Sequence, residues 1–258
     1  MAVQDDGAVY LGGVQVGNVG TRVSSGVKKI AAGDGIAALL FKDGSIFSTR
    51  LQCGAPLHLA GFISKDVKCG GSTCLALTTT GSSLFYWTTT TPTAAAVTWI
   101  PFGSITAFEV NDHFAAAISS GSAVVWRTDG SQMEPQAVPG AQQLALTSHS
   151  AFVLGTNGQV HQILENGASF LSSEESAALD ARRASQIVTT SDMLVVVWRD
   201  SSVSVMGNAF RSQQAFTGNK AVSKAFGGHQ AVVLVFADGS ALTVGSPLHG
   251  GLQCLERA

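Results

Sequence analysis

VKKIAAGDGIAALLFKDGSIFST (Val27–Thr49) holds the whole pattern from which this chain is built. Val27 and Ile30 are apolar positions three apart, and Ala31-Ala32-Gly33 after them is slim. Gly33-Asp34-Gly35 is a loop, and Ile36–Phe41 is a continuous apolar run. A short apolar run bounded by turn signals reads as a strand buried on both faces. Lys42-Asp43-Gly44-Ser45 then reads as a hairpin, because its glycine takes the positive φ that such turns need. Ile46 and Phe47 open the return strand. The unit is therefore a lead run, a loop, a buried strand, a turn and a return strand, and it cannot bury its own faces alone.

Seven copies of this unit run through the 258 residues. The lead pairs are Val27/Ile30, Ser64/Val67, Ile105/Phe108, Ala141/Leu144, Ala184/Ile187, Val222/Ala225 and Leu252/Leu255. The turns are Asp6-Gly7, Asp43-Gly44, Thr80-Gly81, Ser120-Gly121, Asn157-Gly158, Asp200-Ser201 and Asp238-Gly239. Turn glycines fall 37 residues apart from Gly7 to Gly44 and again to Gly81, then 40 and 37 to Gly121 and Gly158. A period in this range signals a repeat architecture, and strand-type units at this spacing predict an all-β, seven-bladed β-propeller. The series opens on a turn and closes on a lead run. The expectation is one domain over 1–258, closed by pairing of its N- and C-terminal strands, Leu252–Arg257 completing the Met1–Tyr10 hairpin.

Charged residues are 12% of the chain, about half the usual share of roughly 25%. Either a partner in an assembly covers much of the surface, or short strands and Gly-rich turns leave few places for long charged side chains. The formal charge is −2, with no Lys/Arg cluster, so nucleic-acid binding is not expected. No apolar run approaches the roughly 18 residues of a membrane span, and Met1–Asp6 does not open a secretory signal. An intracellular, cytoplasmic location is the default expectation.

Cys69 and Cys74 sit five apart in Cys-Gly-Gly-Ser-Thr-Cys, and Cys53 and Cys254 lie elsewhere. A disulfide or half a metal site is conceivable at the pair. Zinc ribbons need a second Cys pair, and both residues fall in strand positions, so the reading favours buried thiols. Gly54-Ala-Pro-Leu-His58 reappears as Gly245-Ser-Pro-Leu-His249, a trace of duplication; these histidines read as turn residues, not ligands. Thr88–Thr98 reads as an exposed loop. Ser172–Ala184 reads as the one helix, with Ser172 and Glu175 as a capping box and Arg182-Arg183 at its end. That insertion is either a partner contact or a solvent-exposed decoration.

The order of lead run, Gly-x-x-His-like loop, apolar strand, Asp-Gly and aromatic-containing strand resembles the repeats of the regulator of chromosome condensation family. Val27–Phe47 is similar to that repeat nearly throughout, Val110-Asn-Asp-His-Phe114 and Phe226-Gly-Gly-His-Gln230 carry the loop, and Trp87 and Trp126 lie near its strand-end tryptophan. Most copies depart from it by lacking the closing Trp-Gly, and no basic tail precedes the first copy. The resemblance implies a face that meets a protein partner, made of the loops between lead run and apolar strand. Here that face is Asp34, Ile36, Asn111, Asp112, His113, Phe114, His149, Asp192, Met193 and His229. Asp34, Asp112 and His229 are open to a second reading, as turn caps that bond nearby backbone.

No nucleophile elbow, phosphate loop, zinc-protease helix or calcium loop is present. The expected function is a non-catalytic protein-interaction or structural subunit of a larger assembly, without cofactor or metal. The alternative is a regulator, a small-GTPase exchange factor or protein inhibitor acting through the same loops.

Overall fold

The computed structural model describes residues 2–3, 8–11, 14–18, 26–33, 36–50, 57–58, 63–89, 98–101, 103–128, 138–164, 171–207, 220–227 and 231–245. The protein is mostly antiparallel β-structure, and it divides into two compact units, 1–113 and 114–258.

In the first unit β1 (Ala2–Val3), β2 (Ala8–Leu11) and β3 (Val14–Asn18) form one sheet in that order. The second sheet is β4 (Val27–Ala32), β5 (Ile36–Phe41), β6 (Ile46–Arg50) and β7 (Leu57–His58). The third is β8 (Ser64–Gly70), β9 (Thr73–Thr78), β10 (Ser83–Thr88) and β11 (Thr98–Pro101). Strand β12 (Ile105–Val110) runs beside β8.

In the second unit β13 (Phe114–Ser119) pairs with β14 (Ser122–Arg127), which pairs with β15 (Val138–Pro139). Next come β16 (Ala141–Leu146), β17 (Ser150–Gly155) and β18 (Val160–Leu164). After helix α1 (Ser173–Ala181) follow β19 (Ala184–Thr189), β20 (Leu194–Trp198) and β21 (Val203–Met206). The last sheet is β22 (Val222–Gly227), β23 (Ala231–Phe236) and β24 (Ala241–Gly245).

Middle strands β5, β9, β17 and β20 are buried along their whole length. Alternate side chains point to opposite faces, so both faces of these sheets are covered. The cover is the neighbouring sheet. In the first unit Ile36, Leu40 and Ile46 pack with Val67, Ala76 and Trp87 of the next sheet. In the second unit Phe152 and Leu154 pack with Ile187, Val196 and Trp198.

Within the units, three devices join neighbouring sheets. The turn carbonyl accepts the N–H of the next lead strand's first residue: Ser64 bonds Gly44 at 2.8 Å, Ile105 bonds Gly81 at 2.8 Å, Ala141 bonds Gly121 at 3.0 Å and Ala184 bonds Gly158 at 2.8 Å. Lead strands β4, β8, β16, β19 and β22 all shift register by one residue after their first position. The residue so displaced, Lys28, Lys65, Gln142, Ser185 or Ser223, is exposed in every case. Such a bulge bends a strand and takes backbone groups off its own ladder. In the second unit the Gln143 amide spans to Ile187, donating to its carbonyl at 2.7 Å and accepting its N–H at 3.1 Å. Gln186 repeats this on Ala225 at 2.8 and 3.0 Å. In the first unit the same position carries Lys29 and Asp66, which pair at 2.6 Å.

The third device is close backbone approach at the far end of the lead strands. A Cβ on Gly70 would lie 1.9 Å from the Val110 carbonyl oxygen, so only glycine lets these strands converge there.

Several expectations are corrected. Cys69 and Cys74 are not thiols but a disulfide across β8 and β9, directly opposite one another beside the two-residue turn Gly71-Ser72. Opposed positions next to a tight turn bring the two sulfurs within bonding reach. The helix is shorter than 172–184 and ends at Ala181, because Ala184 already starts β19. Its capping box is present: Ser172 Oγ accepts the Glu175 N–H at 3.2 Å, and Glu175 accepts the Ser172 N–H at 2.7 Å. Glu175 also accepts the Gly207 N–H after β21 at 3.0 Å. With Leu179 buried in the core of the second unit, α1 is a lid on that core. The Asp6-Gly7 turn, residues 90–97, Cys53, Cys254, His249 and the closing run Leu252–Arg257 lie outside the described residues.

Among the described residues Ser64 is the one lead residue of its kind: a hydroxyl at an apolar position, 2% exposed, whose Oγ finds no hydrogen-bond partner among them. Ser64→Ala is expected to raise unfolding free energy by about 1 kcal/mol, since a buried unsatisfied hydroxyl is a cost. Gln186→Ala strands two backbone groups of Ala225 and is expected to lower it by about 1–3 kcal/mol. Urea denaturation of the two variants checks both signs.

Candidate interaction surface

The loops that join lead strands to middle strands are built by short side chains that bond backbone. Asn111 Oδ1 accepts the His113 N–H at 2.9 Å. Thr147 Oγ1 accepts the N–H groups of His149 and Ser150 at 3.3 and 3.0 Å. Thr190 Oγ1 does the same for Asp192 and Met193 at 3.3 and 3.1 Å. Both threonines are buried, and the Ser148 N–H reaches the Ser191 carbonyl at 2.8 Å, tying two successive loops together. Thr147 and Thr190 are functional loop residues that the repeat pattern does not single out. Their signal is the shared Thr-Ser pair, Thr147-Ser148 and Thr190-Ser191, each threonine six residues after the first residue of its lead strand.

Of the residues expected on the partner face, Asp112, His113, His149 and Asp192 are exposed and Asn111 is half-buried. Asp112 also accepts the Ser72 N–H, across from the neighbouring hairpin. A Cβ at Gly71, where φ is +54°, would lie 1.9 Å from that carboxylate. Asp112 is thus a turn cap as well as a surface acid. Ile36, Phe114 and Met193 are withdrawn from the face: they are 0, 0 and 2% exposed. Each stands at or beside the start of a middle strand, where the chain turns inward, and its apolar side chain goes to the core. Asp34 and His229 lie outside the described residues. The structure brings Asn111, Asp112 and His113 together in the first unit, and His149 and Asp192 onto tied loops in the second.

Charge at the hairpin turns is organised differently. Lys220 pairs with Asp238 at 3.1 Å and lies 5.6 Å from the Phe236 ring centroid. Arg182 pairs with Asp200 at 3.0 Å and stacks over Trp198 at 4.2 Å. In each turn a serine two residues on donates its hydroxyl and its backbone N–H to the aspartate. The Ser240 hydroxyl and N–H, with Lys220 behind them, hold the Asp238 carboxyl down at about 2, from an ordinary 3.8. Hydrogen bonds from Ser202, aided by Arg182, lower Asp200 as well. These groups stabilise turns. Among the described residues, no group of three or more His, Cys, Asp or Glu side chains is placed to hold a metal ion. Among them, too, no helix is long and apolar enough to cross a membrane.

No protein-family profile matches the chain, and no curated protein sequence matches it. Solved structures do. The CRINKLY WD40 ectodomain of the Arabidopsis thaliana receptor kinase ACR4 is similar over 88% of this chain and 82% of its own, with a TM-score of 0.65 and 14% identity. Human WBSCR16 is similar over 87% and 77%, with a TM-score of 0.62 and 12% identity. Prp20p from Saccharomyces cerevisiae, described with its binding properties to Gsp1p and histones, is similar over 86% and 69%, with a TM-score of 0.59 and 12% identity. At such identities the likeness establishes the fold alone, a β-propeller.

The Asp238 carboxylate is expected to titrate near pH 2 in the folded chain. A depressed folded pKa contributes stability above the unfolded value and loses it as pH falls through the folded one. The contribution is therefore complete above about pH 4 and fades toward pH 2. Carboxyl NMR titration reads the first, and Asp238→Asn, compared by acid unfolding, should remove that part of the pH dependence.

Proposed function

We propose that this chain is a non-catalytic, seven-bladed β-propeller that serves as a protein-interaction or structural subunit of a larger assembly. Its loops are the partner surface. The observation that carries this reading is the division of labour inside those loops. Asn111, Thr147 and Thr190 spend their side chains on the backbone, while His113, His149 and Asp192 stand exposed on it. Side chains on a backbone already held in place cost less entropy to immobilise against a partner.

In the same reading the sheet of β1–β3 is the seventh blade, completed by Leu252–Arg257. Two features support this. Strand β1 is the sheet edge on the side where the other sheets carry a lead strand. The β1–β2 register, Ala2 opposite Tyr10, is centred on Asp6 just as Val235 opposite Ala241 is centred on Asp238. The Cys69–Cys74 disulfide favours an oxidising compartment over the cytoplasm expected from sequence, since cytosolic thiols are kept reduced.

The test spares Asp112, which the fold uses. His113→Ala, His149→Ala and Asp192→Ala combined are expected to leave thermal unfolding unchanged and to weaken capture of the native partner at least about tenfold, or about 1.4 kcal/mol. Quantitative cross-linking with the partner from the native source reads this. Undiminished capture by the triple variant sinks the loop surface.

A further inference from the structure

The last sheet differs from those before it. Where β5, β9, β17 and β20 are buried throughout, β23 alternates. Val232, Leu234 and Phe236 are 0, 1 and 6% exposed, but Val233 is 37% exposed, and Phe226, its partner across β22, is 56% exposed. One face of this sheet packs on the sheet of β19–β21. The other presents an apolar pair to solvent.

The preceding sheet shows what such a face is for. Val188 and Val195 are opposed there as Phe226 and Val233 are here. Both belong to the cluster that Val222 and Ala225, the lead residues of the next unit, help to form. The next lead residues in the sequence are Leu252 and Leu255, reached after the six residues 246–251 that follow the last described residue, Gly245. The turn is prepared as well. Gly239 has φ +81° and donates to the Phe236 carbonyl, as Gly158, at +84°, donates to Gly155 before its own carbonyl takes the next lead strand. Reach is adequate: six residues, 246–251, extend to about 20 Å, against about 17 Å to run back along a five-residue strand.

We propose that the Phe226/Val233 face is a docking surface for the chain's own segment Leu252–Arg257. The segment lies beside β22 as a lead strand, with the Leu252 N–H on the Gly239 carbonyl and Leu252 and Leu255 over Phe226 and Val233. This rests on the closed-ring reading and assigns the surface that the closing strand uses.

The test places an indole at the face, Phe226→Trp, in the full chain, with the Phe226 parent as spectral blank. Shielding from acrylamide is expected, and Leu252→Asp with Leu255→Asp should raise the quenching constant several-fold and shift emission to the red. Circular dichroism establishes that the variant remains folded, and Leu255→Asp alone serves if the pair does not fold. A fall in melting temperature without any change in quenching keeps the closed ring and removes this surface. If neither changes, both are overturned. Shielding that grows with protein concentration, alongside a dimer in sedimentation, gives the face to a second copy and overturns the proposal.

Discussion

A turn carbonyl accepting the first N–H of the following lead strand is the bond on which the rest of this structure depends. It recurs at Gly44, Gly81, Gly121 and Gly158, always between two units that neither bury nor satisfy themselves alone. Its net worth is modest, about 1 kcal/mol for a typical hydrogen bond. Its geometric effect is larger, because within a unit it sets one sheet against the buried face of its neighbour and lets apolar area do most of the stabilising. The lead-strand bulge then leaves backbone groups turned sideways, and Gln143 and Gln186 satisfy them across the gap. Stability in such an array is close to a sum of neighbour terms.

That framework separates two kinds of edge. At the hairpin turns, aspartates are tied to serines and, at Asp200 and Asp238, to a basic residue that also covers an aromatic ring. Charge there is consumed in holding the turn. At the opposite loops Asn111 and the buried threonines hold the backbone and Asp112 caps the neighbouring turn, while His113, His149 and Asp192 are exposed. These loops carry acids and imidazoles on a backbone held by its own side chains.

The helix shows how an insertion is absorbed, and the disulfide how a loop is fastened. Glu175 serves the Ser172 cap with one carboxylate oxygen and the chain after β21 with the other, so α1 is held to the core it covers. The Cys69–Cys74 bridge fastens the hairpin whose turn is capped by Asp112. One loop of the candidate surface is thereby set by a neighbour's covalent link.

Periodicity by itself determined the strand order, the hairpin positions and the buried middle strands, because backbone pairing and two-sided burial impose local patterns of residues such as Ile36–Phe41 and Asp43-Gly44. The capping box at Ser172 was equally legible, being a contact between near neighbours in the chain. Only the tertiary structure decided which loop residues face solvent. Ile36, Phe114 and Met193 occupy loop-edge positions in sequence but are pulled into the core by the adjoining sheet. It also decided that Asp112 caps a turn 40 residues away, that Gln143 and Gln186 bridge lead strands, and that Cys69 and Cys74 are bonded. Each of these depends on distance and direction in space, quantities that a linear spacing of residue types does not contain.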